Sequence, residues 1–262
     1  YDTRAHLHHH SLIAVLLLGG VSGDSATCPN GGTLFFSQFQ EATSGTNKYY
    51  QIFNPTNAAI SLAGYSIGYC VNGCAAANTF EYGQPFAAGA SIPAGGTYTV
   101  CNSGLGSTTA CNEVLSYPYV SYTGDDFVAL INMATHTGAD ASNIVDQIGL
   151  FSTTDPGSSW PVCGTTSGMD TRNGRLIRSP TTHCGDSSGA AFDGSLIGPV
   201  NCPWTELYQS FSVAVWSPPA TAMFEVTTGG DYCHVTHGGT CVSDGVGAHT
   251  NNERCTIQVL SQ

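Results

Sequence analysis

A short strand that runs into an Asn-Pro turn constrains this chain more than any other feature. Tyr49–Phe53 is bulky throughout apart from Gln51, and Asn54-Pro55-Thr56 stops it. Proline has no N–H for a ladder and holds the preceding residue extended, so the chain must turn there. A further strand is expected after Leu62-Ala63-Gly64, where Tyr65, Ile67 and Tyr69 alternate with Ser66 and Gly68. The pattern recurs. Tyr98 and Val100 alternate with Thr97 and Thr99, and 34–39, 127–131 and 144–150 are short apolar or alternating runs. Turn signals bound them: Ala94-Gly95-Gly96, Thr123-Gly124-Asp125, Asp155-Pro156-Gly157 and Asn173-Gly174. No window carries a sustained 3.6-residue apolar stripe, so helices are expected to be short or absent. Many short strands with frequent turns predict an all-β sandwich.

Composition narrows the function. Only 9 % of the 262 residues are charged, while 41 % are apolar and 32 are glycine, which suits strands and turns better than solvent-facing helices. Six basic residues against 18 acidic ones give a net charge of −12, a surface that repels phosphate backbones, so no nucleic-acid partner is expected. The length allows one large or two modest domains.

Residues 1–23 read as an export signal: Arg4, an apolar run over 12–18, then small residues up to Val21-Ser22-Gly23. About 10 apolar residues are too few to span a bilayer, so no stable membrane insertion is expected and the localisation is secreted, extracellular. His6, His8, His9 and His10 fall in this leader and are assigned no metal. Tyr1 is not methionine, so the reading frame is expected to begin upstream.

Eleven cysteines in an exported chain predict disulfides. Eight fall between Cys28 and Cys202 and can close among themselves; the spacings Cys70/Cys74 and Cys101/Cys111 suit local staples, and the overall pairing stays open. Zinc would need a second pair to match Cys70 and Cys74. Cys233, Cys241 and Cys255 form an odd set, so the C-terminal unit is expected to continue past Gln262. The shift to Gly, Ser and Asp over 185–201 predicts a long loop, Trp204–Tyr208 a closing strand, and the run 211–216 a new segment, with a boundary near Gln209.

Several of these segments, in order, resemble the lamin tail domain. They are 34–40, Tyr50-Gln51-Ile52-Phe53-Asn54-Pro55-Thr56, Leu62-x-Gly64-Tyr65, Ile92-Pro93-Ala94-Gly95-Gly96-Thr97-Tyr98, Gly124-Asp125-Asp126-Phe127-Val128-Ala129-Leu130, Ile144-Val145-Asp146-Gln147-Ile148-Gly149 and Leu176-Ile177-Arg178. The resemblance implies an immunoglobulin-like β-sandwich over 28–208, in a family shared by nuclear lamins and exported proteins. Gln51 stands where that family often places Glu, so any pair of that Glu with an Arg cannot form. Cys241-Val242-Ser243-Asp244-Gly245 with Asn251-Asn252-Glu253-Arg254-Cys255 is similar to the start of some CUB-like domains, implying a truncated second β-domain over 210–262.

Candidate chemistry is sparse. Thr182-His183-Cys184-Gly185-Asp186-Ser187-Ser188-Gly189 imitates serine-protease motifs, but the His and Ser signatures overlap, and Ser188 replaces the required glycine. The expectation is a disulfide-pinned loop. Asp125 and Asp126, expected on a strand with side chains on opposite faces, read as a solvated strand entry in which Asp caps the turn after Gly124, with calcium a minor alternative. Cys233, His234, His237 and Cys241 are not read as zinc. Gly229-Gly230 and Gly238-Gly239 are turns without the lysine of a phosphate loop. Trp160, Trp204 and Trp216, with the many tyrosines, could stack carbohydrate but read better as core. No catalytic residue, cofactor or metal site is assigned. The expected function is a non-catalytic extracellular binding or adhesion module for a protein or glycan. The alternatives are an accessory domain of a secreted hydrolase, such as a nuclease, and a calcium-dependent lectin-like module.

Overall fold

The computed structural model describes Cys28 and residues 33–41, 45–165, 167–179, 182, 184–196, 202–208, 223–228, 231–236 and 241–242. Its larger sheet combines β1 (Phe35–Glu41), β2 (Tyr49–Phe53), β7 (Thr97–Asn102), β8 (Glu113–Leu115), β13 (Gly174–Arg178) and β14 (Trp204–Tyr208). Their order is β14-β13-β1-β2-β7-β8, antiparallel except for the β7–β8 pair. The smaller sheet holds β4 (Ser66–Cys70), β5 (Tyr82–Pro85), β9 (Phe127–Ile131) and β10 (Ile144–Ile148), in the order β10-β9-β4-β5. Two-stranded pieces close the rims: β3 (Ile60–Ser61) with β6 (Ser91–Ile92), and β11 (Pro161–Val162) with β12 (Met169–Asp170). A separate sheet joins β15 (Met223–Thr228), β16 (Asp231–Thr236) and β17 (Cys241–Val242). The described helices are single 3-10 turns, Leu62–Gly64 and Ala141–Asn143.

The sandwich forms because alternate residues of both sheets share one core. Phe36, Phe39, Tyr50, Ile52, Tyr98, Val100 and Leu176 meet Ile67, Tyr69, Val128, Leu130, Val145 and Ile148. The uninterrupted Phe127–Ile131 run needs more than one apolar face. Its other residues, Phe127, Ala129 and Ile131, pack under Phe80, Ala139 and the Cys70–Cys74 disulfide, with Phe151 stacked 4.4 Å from Phe80. A strand buried on both sides reads as continuous hydrophobicity.

The turn after β2 is held by the asparagine that opens it. Asn54 is fully buried; its Nδ2 donates to the carbonyls of Ala58, Ile92 and Pro93, and its Oδ1 accepts from Thr56 N and Oγ1. Proline supplies the stop and Asn54 ties the turn to β6. Four disulfides brace the fold: Cys28–Cys184, Cys70–Cys74, Cys101–Cys111 and Cys163–Cys202. The eight cysteines up to Cys202 therefore pair among themselves, both local staples included.

A fully buried ion pair clamps the two sheets. Asp146 of β10 accepts from Arg178 of β13, from Phe36 N of β1 (2.7 Å) and from Asp186 N (2.7 Å). Arg178 Nε donates to the Phe36 carbonyl at 3.1 Å, and its guanidinium lies 3.8 Å from the Trp204 ring centroid. Burial pushes the Asp146 carboxyl upward, against the pull of Arg178 and the backbone N–H groups. Gln51, where the family resemblance suggested Glu, is buried and neutral. Its Oε1 accepts from Ser37 Oγ at 3.0 Å and its Nε2 donates to Thr99 Oγ1 at 3.1 Å, so the amide uses both its ends.

One local expectation fails. Asp125 and Asp126 lie in a turn ahead of β9, not on a strand, and both accept from Thr123 Oγ1, at 2.6 and 3.0 Å. The backbone has to turn because the Thr123 side chain and N–H fold back onto these carboxylates. The expected boundary near Gln209, the leader 1–23 and the run 211–216 lie outside the described residues. Strands β13 and β14 are hydrogen-bonded into the larger sheet and so belong to the sandwich.

Candidate functional site

The two sheets leave one flank lined by aromatic side chains. β5 is the last strand of the smaller sheet and β8 of the larger, and the chain just after β5 reaches β8 through Ala87 and Glu113. Phe86, just after β5, meets Tyr98 of β7 edge-on at 5.6 Å. Tyr98 Oη donates to Glu113 of β8 at 3.1 Å, and Ala87 N donates to the same carboxylate at 3.4 Å. Tyr82 of β5 lies 5.7 Å from Tyr69, and Tyr65, Tyr82, Phe86 and Tyr119 are half-buried against the main core. Tyr117, two residues past β8 and near enough to the Tyr69 hydroxyl to act on it electrostatically, is 74 % exposed, the most exposed large hydrophobic side chain among the described residues. Val114 of β8, 46 % exposed, lies on the same edge.

The chemistry here suits holding rather than reacting. Burial raises the Tyr98 and Tyr69 hydroxyls, helped by the charge and hydrogen bond of Glu113 and of Asp126 respectively, so both keep their protons at neutral pH and serve as donors. Half-buried tyrosines give large rigid contact area with a polar tip and little entropy to lose on binding.

The residues singled out by sequence fall elsewhere. Asp126 is buried, its carboxylate taken up by Tyr69 Oη at 2.9 Å, Asn72 N at 2.8 Å and Thr123, leaving little coordination for calcium. Trp160 is buried with its Nε1 donating to the Asp126 carbonyl at 3.0 Å, and Trp204 is buried under Arg178. Neither belongs to a surface platform; Trp216 lies outside the described residues. In the protease-like stretch the Asp186 carboxylate gathers Ser188 N, Ser188 Oγ, Gly189 N and Ala191 N. Burial raises this carboxyl, but those hydrogen bonds and the charge of Arg178 outweigh it and leave it below its usual range. Ser188 is thus a donor within a folded loop, and Gly185 is required because a Cβ there would overlap the Val145 carbonyl. His183 and His237 lie outside the described residues. His234 and Cys233 lie on β16 and Cys241 on β17. No group of three or more His, Cys, Asp or Glu able to hold a metal occurs among the described residues, and no described helix is long and apolar enough to cross a membrane.

Sequence reasoning missed the flank. Its signals were the number of tyrosines, 12, and the Tyr117-Pro118-Tyr119 segment between recognised strands.

Residues 27–151 match the family model described as Lamin Tail Domain. No curated protein matches the chain. Nothing in these comparisons supports the CUB-like resemblance of the C-terminal segment.

Proposed function

The chain carries a lamin tail domain over residues 27–151, and from that premise we propose that it works as a secreted, non-catalytic binding module whose ligand seats on the tyrosine-lined flank. Four disulfides fit an oxidising, extracellular setting. The observation that carries the reading is Tyr117, exposed on a flank where Tyr65, Tyr82, Phe86 and Tyr119 are half-buried. The ligand that suits it is a neutral glycan, since a sugar ring offers an apolar C–H face for stacking and hydroxyls for the tyrosine tips.

A neutral-glycan array probed with the purified chain tests this. Binding is expected to one or a few structures, and Tyr117→Ala is expected to weaken it about tenfold, the loss of about 1.4 kcal/mol for an aromatic anchor. The substitution should leave the thermal midpoint unchanged, because an exposed side chain contributes little to the fold. Glycan binding that Tyr117→Ala leaves intact would remove the flank from the proposal. Absence of binding across the array would remove the glycan.

A further inference from the structure

The larger sheet has a second face, and it too is buried. Opposite the core, β1 and β2 present Phe35, Ser37, Gln38, Gln40, Tyr49, Gln51 and Phe53, each at most 1 % exposed. β7 and β13 add Thr99, Cys101 and Ile177, also within 1 %, and Arg175 at 7 %. An open antiparallel sheet normally leaves such a face in water. At the Tyr49–Cys101 end, Leu105 and Cys111 lie over it. Phe35 and Phe53 form a small cluster of their own, apart from the main core, with Arg178 beside Phe35. Gln51, Phe53 and Arg175 each have further partners.

The topology points to the cover. β15 comes within 8 Å of β13, Cα to Cα. Both edges of β13 are occupied, by β1 and by β14, so β15 does not extend the sheet beside it. The inner face is filled by Leu176, Trp204, Ala191 and Phe192 and by the Asp146–Arg178 pair. The outer face, with Arg175 and Ile177, is the one whose burial the main core does not account for. Four strands of about five residues span roughly 19 by 17 Å. A sheet built on two six-residue strands, each about 20 Å long, is the right size to cover it.

We infer that the β15–β17 sheet docks face-on over the outer face of the six-stranded sheet, making the chain a three-layered unit. The C-terminal segment is then part of the fold's packing and not a tethered neighbour.

The test uses the full chain. In hydroxyl-radical footprinting, Phe35, Tyr49 and Phe53 are expected to label at least about tenfold more slowly than Tyr117, at the rate of core Tyr50, because they open only with the fold. Labelling near the rate of Tyr117 would overturn the inference. A photo-cross-linking benzoylphenylalanine at position 177 then identifies the cover, with Tyr50 protection confirming that the substituted chain is folded. Adducts to residues 223–242 of the same molecule support the proposal. Adducts to the leader or to a second copy, or no adduct, would overturn it.

Discussion

Removing the Asp146 carboxylate should unfasten the two sheets. In Asp146→Asn the guanidinium of Arg178, 1 % exposed, stays buried beside Trp204 without its counter-charge. The new amide also turns its NH2 toward either Phe36 N or Asp186 N, each of which needs an acceptor. Breaking one side of a buried pair costs about 3–5 kcal/mol. For a domain of this size that lowers the melting midpoint by about 10 °C. The converse variant, Arg178→Met, behaves differently with pH. It leaves Asp146 in an apolar site, so the carboxyl, already raised by burial, rises further once Arg178 no longer opposes it. With the folded pKa above the unfolded value the native state binds the extra proton. Stability is then full below the unfolded value and is lost as pH rises through the folded one. The cost of Arg178→Met should therefore shrink by up to about 1.4 kcal/mol per pH unit on going from pH 7 toward 4.5. The cost of Asp146→Asn has no such rescue. Urea titrations of the disulfide-intact chain at both pH values, followed by circular dichroism, measure this. Two parallel pH profiles, or a loss below 1 kcal/mol for Asp146→Asn, would refute the clamp.

Three further outcomes follow from the same geometry. Replacing Cys28 and Cys184 by serine opens a loop of separation 156 and should cost about 5 kcal/mol, against about 2 for the separation-4 pair Cys70 and Cys74, on chain-entropy grounds; ranking the melting midpoints of the two double variants checks this. Asp186 is depressed, so its contribution is present above its unfolded value near 3.8 and fades as pH falls through the lower folded value. Asp186→Ala should cost about 1–2 kcal/mol at pH 7 and progressively less below pH 3.5, read from acid-denaturation curves. Gln51→Glu should destabilise by about 2–3 kcal/mol at pH 7, because the carboxylate loses the donor that meets Thr99 and carries a charge into the sheet; a smaller loss at pH 4 in urea melts would show that the charge is responsible.

The strands were legible because their signals are local. Asn54-Pro55 stops β2 by covalent geometry, and Gly95, at φ +61°, takes the turn before β7. The two short staples were legible for the same reason, whereas Cys28–Cys184 joins residues whose proximity exists only after the sheets assemble. Asp126 was misread as solvated because its burial depends on Tyr69 and Asn72, which reach its carboxylate from a distant part of the chain. The tyrosine flank was invisible for a further reason. Tyr82 and Phe86, Tyr98 and Tyr117 come from three segments, and whether a tyrosine is core or surface depends on which strand ends each sheet. Sheet order is a long-range property that alternation cannot encode.

The burial of the cations ties the composition to the surface. Three of the six basic residues, Lys48, Arg175 and Arg178, lie inside: Lys48 pairs with Glu41 at 2.7 Å, Arg175 Nε meets Gln40 at 3.3 Å, and Arg178 clamps Asp146. Among the described residues Arg172 is the one exposed cation. Three carboxylates, Glu41, Asp126 and Asp146, are buried with them, so the net charge of −12 stays on the outside with few cations left there to offset it. Phosphate backbones are repelled at long range by such a field, whereas the neutral ligand we propose for the tyrosine flank would not sense it. The buried cations thus serve the fold, and the carboxylates left outside set the field that a partner meets.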